Sequence, residues 1–422
     1  MESIAIIGTG IAGMACGHFL HRRCAVTFYE RNDYIGGHTN TVTVTENGRE
    51  IPIDTGFMVY NEVTYRHLTA LFRELDVPTK NTSMSFSVQH VPSGLEFSGS
   101  GLNGLFAQRR NLLRPSYYSL LRQIHRFNTE CLEVLEQEKY REYTLFRYVS
   151  EKGYGDDFLK RYAVPMSSAV WSTPPDAMLQ FPAFTLVKFF QNHGFLGLNT
   201  QHQWKTVVGG SRTYRDRLIA PFRDRIHTRR AAVRVGHANG RAVVVDSQGH
   251  RAFYDRVILA CHADEAFALL ESPTPREQEL LRPFRYQKNR ATLHMDASVM
   301  PHTRRAWSSW NYRIGARPEN GRTATSVIYW MNSLQHVSQT QDYFVSIDDP
   351  GWVRPEMVLR TIDYEHPVFS LEAIRAQKSL GELNASGPIY YCGSYFGYGF
   401  HEDALASAVE LCRGLALQGI AA

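Results

Sequence analysis

The first thirteen residues encode a short strand, a glycine-rich turn and the start of a helix. Residues 4–7 form an apolar run typical of a buried parallel strand, and Gly8-Thr-Gly10-Ile-Ala-Gly13 follows it directly. In such a turn the first glycine permits the tight bend, the second lets a pyrophosphate approach the backbone, and the third lets helix and strand pack closely. Unpaired N–H groups at the helix start attract the anion. The stretch therefore predicts a dinucleotide site on a parallel sheet.

A carboxylate follows at the distance that such a site requires. Residues 25–29 are typical of a second strand, and Glu30 ends it, 17 residues after Gly13. From there a carboxylate can accept hydrogen bonds from both ribose hydroxyls. The alternative is a glycine-rich turn with an unrelated surface glutamate. The preceding strand, the following helix and the spacing of the acid together favour the nucleotide site.

Composition excludes several classes of protein. The 422 residues are 43% apolar, which predicts two to three globular domains, and no run approaches the roughly 18 apolar residues of a membrane span. A net charge of +5 is too small to indicate nucleic-acid binding. The six cysteines form no CxxC pair, so we predict neither a metal site nor disulfides. The chain starts directly with its first strand, and we expect a cytoplasmic location.

The residues after Glu30 resemble an extended flavoprotein signature. A basic residue, Arg31, is followed by the pair Gly36-Gly37, as in the superfamily of amine oxidases, phytoene desaturases and protoporphyrinogen oxidase. The resemblance implies that this turn runs beside the pyrophosphate and ribityl chain of FAD. Many members have Arg after the glycines, whereas this chain has His38.

The next segment resembles the superfamily's D-x-G motif. Residues 41–45 and 50–53 flank Asn47-Gly48, a strong hairpin turn, and Asp54-Thr-Gly56 follows. The resemblance implies that Gly56, Phe57 and Met58 line the flavin ring. The alternative is an ordinary turn at the end of a strand.

Two later segments resemble the return of the chain to an FAD-binding domain. Residues 231–254 predict a three-stranded meander, in which Ala232 aligns with an adenine-contacting valine of the family. Residues 388–393 predict a buried strand, and a helix starts near residue 400. The resemblance implies that Gly393 meets the ribityl phosphate and that the helix start at 403–405 faces the flavin pyrimidine. The family usually has glycine at Asp403, which could instead cap the helix.

These matches predict an α/β fold with a Rossmann-like FAD-binding domain, built from a parallel sheet with a β-meander, and an α+β substrate domain with a mixed sheet and helices. We assign residues 1–75, 205–270 and 388–422 to the first domain. Residues 76–204 and 271–387 form the second. We predict non-covalent FAD, contacted by Gly8, Gly10, Ile11, Ala12, Gly13, Glu30, Arg31, Gly36, Gly37, His38, Gly56, Phe57, Met58, Ala232, Gly393, Ser394, Asp403, Ala404 and Leu405.

The expected reaction depends on which compound supplies the electrons that reduce the flavin. A second GxGxxG unit is missing from the sequence, so we predict no NAD(P)H site and an organic substrate that gives up hydride. An amine oxidase of this superfamily would carry a lysine near residues 288–290, where Arg290 is the best match, and an aromatic pair. Tyr395, Phe396, Tyr398 and Phe400 do not reproduce the register of that pair.

An oxidase or desaturase acting on an apolar substrate is therefore the preferred prediction. Sequences with the variants Gly-Gly-His and Gly-Phe-His-Glu-Asp-Ala resemble a bacterial subgroup linked with modified fatty acids. The alternatives are an amine oxidase and a redox-neutral isomerase resembling UDP-galactopyranose mutase. His401 is the candidate acid or base, with a structural hydrogen bond as the alternative, and His38 and His294 are weaker candidates.

Residues 108–128 are strongly basic. They contain five arginines and no acidic residue, together with apolar side chains that include Leu112, Leu113, Tyr117, Tyr118, Leu120 and Phe127. Apolar residues at helical spacing over 117–135 predict one long amphipathic helix there. Such a basic segment is typical of a domain helix with a solvated basic face. The alternative is peripheral contact with an anionic membrane, at the inner face of the cell membrane, where apolar side chains dip between headgroups.

Overall fold

The computed structural model describes residues 1–197, 200–319 and 322–417. Its first layer is a five-stranded parallel sheet in which Glu2–Ile7 is the central strand. Ile4 of that strand pairs with Val26 on one side and Arg256 on the other. In spatial order the strands are Ile226–His227, Cys24–Tyr29, Glu2–Ile7, Arg256–Leu259 and Ile389–Tyr391.

The helix Ile11–Leu20 follows the glycine turn and is buried along most of its length. It packs against the helices Arg212–Ile219 and His401–Leu417 as well as the sheet. A helix that is covered on several sides needs apolar residues all round rather than one apolar stripe, which accounts for its sequence. The predicted parallel sheet and the glycine turn that opens a helix are confirmed.

The predicted meander is also confirmed. Its antiparallel strands are Ala232–Ala238, Arg241–Asp246 and Arg251–Tyr254. A bulge lies between Ala232 and Arg234. The predicted hairpin is formed by Thr41–Glu46 and Arg49–Asp54.

A seven-stranded mixed sheet forms the second layer. In spatial order its strands are Val358–Val368, Arg285–His294, Phe344–Ile347, Arg322–Trp330, Trp310–Glu319, Phe86–His90 and Leu95–Ser98. All neighbours are antiparallel except Trp310–Glu319 and Phe86–His90. The mixed sheet was predicted, but the strand Trp310–Glu319 was missed.

A small sheet connects the two layers. Trp204–Val207 pairs with Tyr60–Asn61 on one side and with Thr79–Thr82 on the other. This pairing joins a segment that we assign to the FAD-binding domain with one that we assign to the substrate domain. The exact division of the chain between two domains stays a prediction.

Helices cover both layers. The predicted long helix over residues 117–135 is wrong in its length, because Pro115–Glu130 ends before Cys131 and a separate turn, Glu133–Glu136, follows. Among the described residues, every helix is too short or too polar to cross a bilayer. The remaining α-helices are Arg66–Glu74, Gly101–Leu105, Leu145–Glu151, Asp156–Phe158, Val164–Trp171, Pro175–Leu179, Ala183–Asn192, Ala263–Leu269, Pro275–Leu281, Met331–Leu334 and Leu371–Gln377.

Candidate active site

A cavity of about 1460 Å³ lies between the parallel sheet and the mixed sheet. Most residues that the sequence assigns to the cofactor line it. They are Gly8, Gly10, Ile11, Ala12, Glu30, Arg31, Gly37, His38, Gly56, Phe57, Met58, Ala232, Gly393, Ser394 and Ala404, and the catalytic candidate His401 joins them. Gly13, Gly36, Asp403 and Leu405 are not among the residues that line the cavity.

The three glycines of the turn differ in what surrounds them. A Cβ at Gly13 would lie 2.1 Å from the Gly8 carbonyl oxygen, and one at Gly8, whose φ is +100°, would lie 2.8 Å from the Ala260 oxygen. A Cβ at Gly10 would meet no atom of the described residues within 4 Å. Gly8 and Gly13 are thus required by the fold, whereas Gly10 leaves free space at the helix start.

Glu30 is buried and forms hydrogen bonds with Thr9 of the glycine turn. Its Oε2 accepts hydrogen bonds from the backbone N–H of Thr9, at 3.0 Å, and from the Thr9 hydroxyl, at 2.6 Å. Its Oε1 accepts the backbone N–H of Asn32 at 2.8 Å. The carboxylate therefore organises the turn and keeps unused lone pairs for a ribose. Thr9 also lines the cavity, and it was missed because it occupies a variable position of the motif.

The turn at Gly36-Gly37 closes over the glycine turn. A Cβ at Gly37 would lie 3.4 Å from the Gly10 Cα. The Gly36 N–H donates to the Thr9 hydroxyl at 3.2 Å, and the Phe57 N–H donates to the His38 carbonyl at 2.7 Å. The two predicted signature segments thus form one continuous backbone wall of the cavity.

His38 occupies the place of the family's arginine. Its ring stacks on Tyr364 at 4.8 Å and meets His366 edge-on at 5.1 Å. Its buried Nε2 has no hydrogen-bond partner among the described residues. Burial lowers the pKa of His38 well below the usual value for histidine, so the ring is neutral. It can offer a hydrogen bond to a cofactor, but it cannot supply the charge of an arginine.

Arg31 is engaged in an ion pair with Glu265. Glu265 also lies near His262, whose Nδ1 is 3.8 Å from Glu265 and 3.7 Å from Glu365. The ligand atoms of His262, Glu265 and Glu365 lie within 4.8 Å of one another, so the trio could hold a cation. The sequence had predicted no metal. Because Arg31 already neutralises Glu265, we interpret the trio as an ion-pair cluster at the cavity wall.

His401 sits against the predicted flavin-ring segment. Its ring stacks on Phe57 at 4.0 Å. Its Nε2 hydrogen-bonds with the Tyr214 hydroxyl at 2.7 Å and lies 3.2 Å from the Thr39 hydroxyl. Burial lowers the pKa of His401 to about 3. A neutral, hydrogen-bonded ring at this place fits the structural alternative, and its catalytic role stays a prediction. His294, the weaker candidate, is bonded to Ser346 at 2.7 Å and lies outside the cavity lining.

The start of the helix His401–Leu417 lies at the cavity, as the resemblance implied. Ala404 lines the cavity, whereas Leu405 is fully buried behind it. The Asp403 carboxylate turns back and accepts the Phe400 N–H at 2.9 Å, and burial raises the pKa of Asp403 to about 7. Asp403 is therefore a capping group of the preceding loop. The Gly393 N–H donates to the Ser407 hydroxyl at 2.9 Å.

Aromatic rings form the other end of the cavity, which we call the aromatic chamber. The ring centroid of Phe189 lies 4.8 Å from the centroids of Phe400 and Trp171. The ring centroids of Trp204 and Phe195 are 6.4 Å apart. The rings come from different stretches of the chain or different faces of a helix, so no local sequence motif predicts the group. The chamber consists of Tyr65, Trp171, Phe189, Phe195, Trp204 and Phe400, all of which line the cavity. Of the aromatic residues that follow Gly393, Tyr395 is buried against Phe284 instead.

The strand Arg285–His294 forms a polar wall of the cavity. Arg290, the sequence match to the family lysine, is exposed and pairs with Asp363 at 2.9 Å. Asn289 is the buried neighbour. Its amide donates to Asp348 at 2.6 Å and its Oδ1 bonds with His366 at 2.8 Å. Lys288, Asn289 and Arg290 all line the cavity, and Asn289 is the buried one of the three. The wall therefore combines two exposed cationic side chains with a buried amide.

Comparisons with known proteins found one matching family and several similar folds. The sequence profile of a family described as flavin containing amine oxidoreductase matches residues 11–299. No curated protein matched the chain. Putrescine oxidase, solved as the wild type bound to putrescine, is 14% identical with a TM-score of 0.67, and the match covers 99% of both chains. Cyclohexylamine oxidase from Brevibacterium oxydans is also 14% identical at a TM-score of 0.67, over 98% of this chain and 99% of that one. A fatty acid isomerase from P. acnes is 13% identical with a TM-score of 0.64, over 98% of both chains.

The site fits the cofactor of that family. Free space at Gly10, donors at a helix start and lone pairs on Glu30 suit the pyrophosphate and ribose of FAD. Gly56 and Phe57 continue the same wall toward the aromatic chamber. FAD, when bound, supplies a two-electron acceptor for hydride.

Proposed function

Because this chain belongs to the family of flavin-containing amine oxidoreductases, we propose that it is an FAD-dependent oxidoreductase that removes hydride from an apolar substrate, namely a modified fatty acyl chain. The FAD-dependent oxidoreductase activity follows from the family. The substrate class is supported by the aromatic chamber, whose six side chains offer apolar surface to whatever occupies that end of the cavity.

The chamber favours an alkyl chain over an amine. Each buried methylene contributes about 0.8 kcal/mol, so several methylenes stabilise a complex more than one cation–π contact of about 0.5–2 kcal/mol. An alkylammonium ion would also lose hydration, and none of the six chamber side chains carries a negative charge to offset that loss. The nearby Asn289 is neutral. The Asp348 carboxylate also lines the cavity, and its two oxygens already accept the Asn289 amide and the Arg290 backbone N–H.

The reaction breaks two C–H bonds of the substrate. One hydrogen would leave as hydride, for which bound FAD would supply the acceptor, and the second would leave as a proton to water, while the electron pair of that second C–H bond would form a carbon–carbon double bond. Dioxygen or another acceptor must then take up the two electrons. Neutral His401 and His38 add no positive charge beside Phe57 and Tyr364, against which their rings stack.

Matched ligands test the proposal. We would mix the anaerobic holoenzyme with an alkyl carboxylate, its coenzyme A ester or the alkylamine of the same chain length, and follow bleaching of the flavin absorbance. Bleaching by the acyl compounds alone supports the proposal, and bleaching by the amine alone overturns it in favour of an amine oxidase. A double bond that moves while the flavin stays oxidised overturns it in favour of an isomerase. NADPH, which we expect not to reduce the flavin, serves as the control reductant.

Two variants of one helix link the result to the chamber. Phe189→Leu trims a ring that lines the cavity, and Phe190→Leu trims a buried ring of the same helix that lies outside its lining. We expect Phe189→Leu to change the preferred chain length. Phe190→Leu should leave that preference as it is, although both variants lose stability through the smaller side chain.

A further inference from the structure

The short turn Arg109–Leu113 and the start of the helix Pro115–Glu130 present apolar side chains to solvent. Leu113 is 88% exposed, Leu112 47% and Tyr118 46%. Leu102, on the preceding helix, is 71% exposed. The Tyr118 hydroxyl donates to the Leu112 carbonyl at 3.0 Å, which fixes the turn against the helix. We call this group, together with Arg109, Arg110 and Arg114, the basic tip.

The arginines of the basic tip keep their charge available. Arg109 donates to the Phe106 carbonyl at 2.7 Å, and Arg110 donates to the Gly94 carbonyl at 2.6 Å. Within the described part of the chain, neither they nor Arg114 pair with a carboxylate. Arg126, by contrast, pairs with Glu130 at 3.0 Å and lies over Tyr154. The unneutralised charge is therefore concentrated beside the exposed leucines.

The structure corrects which apolar residues are available. Tyr117, Leu120 and Phe127 belong to the buried face of the helix, although the sequence placed them with the membrane-facing residues. The exposed apolar side chains lie at the turn before the helix instead. A projecting turn with exposed leucines and flanking arginines suits the surface of an anionic bilayer. There the arginines can bind lipid phosphates, and the apolar side chains can insert between the headgroups.

We propose that the basic tip docks this protein on an anionic lipid bilayer. The occupant follows from charge complementarity and from shape, because isolated leucines project outward instead of lining a groove that a partner segment would fill. A crevice of about 320 Å³ opens beside Leu113 and is lined by Arg114 and Arg161, which leaves room for a headgroup. This inference goes beyond the proposed reaction, because docking requires neither turnover nor a particular substrate.

Vesicle sedimentation of the full-length holoenzyme tests the docking. We expect it to sediment with vesicles of phosphatidylcholine mixed with phosphatidylglycerol, to remain in solution with phosphatidylcholine alone, and to be released as salt rises. Arg109→Glu, Arg110→Glu and Arg114→Glu together should lower binding by on the order of a hundredfold or more. Leu112→Ser with Leu113→Ser should also lower binding while the charge stays constant.

A charge-matched variant serves as the control. Arg49→Glu, Arg285→Glu and Arg360→Glu change the net charge equally at exposed sites away from the tip and should leave most of the binding intact. Equal loss in both triple variants would overturn the assignment to the tip. Equal binding to neutral and anionic vesicles, no binding to either, or equally strong binding to a soluble acidic polypeptide would overturn the proposal of a bilayer. Flavin content and circular dichroism verify that each variant is folded.

Discussion

Thr9 donates both its backbone N–H and its hydroxyl to a single oxygen of Glu30, at 3.0 and 2.6 Å. The acid that the sequence assigns to ribose binding therefore also fastens the phosphate turn to the second strand. Any change at Glu30 acts on both features together. Comparing a variant of Glu30 with a variant of Thr9 separates the effect on ribose binding from the effect on the phosphate turn.

Glu30→Ala should weaken FAD binding by about 1.5–3 kcal/mol, or roughly ten- to a hundredfold, because charged hydrogen bonds are lost on both sides of the carboxylate. Thr9→Val removes the hydroxyl that donates to Glu30 and accepts the Gly36 N–H, and should cost about 1–2 kcal/mol. Titration of apoprotein with FAD, followed by flavin fluorescence, measures both. Thr9→Ser, which keeps the hydroxyl, is the control. Wild-type affinity in Glu30→Ala would contradict the cofactor site.

Gly10→Val and Gly13→Val should fail in different ways. A Cβ at Gly10 meets free space, so the apoprotein should keep its unfolding temperature while the side chain blocks the pyrophosphate. A Cβ at Gly13 would lie 2.1 Å from the Gly8 oxygen, so that variant should be destabilised even without FAD. Calorimetry of both apoproteins and FAD titration separate the two effects. Strong FAD binding by Gly10→Val would refute the assignment.

The parts of the fold that the sequence predicts are those with local backbone requirements. Gly8 and Gly13 are dictated by contacts with Ala260 and with each other, and Asn47-Gly48 adopts the positive φ values of a hairpin turn. Such constraints are written in neighbouring residues. The parallel sheet, the meander and most of the cofactor wall follow from them.

The substrate end could not be predicted in the same way. Phe189 and Phe400 meet although more than two hundred residues separate them, and each is indistinguishable in sequence from an ordinary core aromatic. The alternation of the strand Arg285–His294 buries Asn289 and leaves Arg290 exposed at the cavity, which no motif revealed. These placements depend on tertiary packing, which overrides local pattern.

Denaturation should release intact FAD from the protein. Covalent attachment of flavin to His38 would contradict this prediction. The buried Nε2 of His38 is the candidate atom, because it has no hydrogen-bond partner among the described residues. Ultrafiltration of the denatured holoenzyme, with absorbance of filtrate and retentate, measures the release. Flavin retained by the wild-type chain but released from His38→Gln would show attachment at that residue.

Acid should destabilise the protein strongly. Burial lowers the pKa of His193, His294 and His366 to about 4, that of His401 to about 3 and that of His38 well below its usual value. The unfolded chain therefore binds more protons below about pH 6.5, and each such group removes about 1.4 kcal/mol per pH unit there. Urea unfolding at several pH values gives the free energy of unfolding as a function of pH. The slope of this dependence should be smaller for His401→Gln than for the wild type, by the amount that one proton contributes. The exposed control His125→Gln should keep the wild-type slope.

Asp403 should act in the opposite direction. Its pKa is raised to about 7 by burial, so the folded protein holds a proton that the unfolded chain releases near pH 4, and stability falls as pH rises between these values. Asp403→Asn keeps an oxygen that can accept the Phe400 N–H but cannot ionise. The variant should therefore exceed the wild type in stability at about pH 8, by up to a few kcal/mol, and lose this advantage toward about pH 4. Urea unfolding at constant free FAD measures the difference, with the exposed Asp224→Asn as control. A variant that is less stable than the wild type at every pH would show that the charged carboxylate stabilises the loop that it caps.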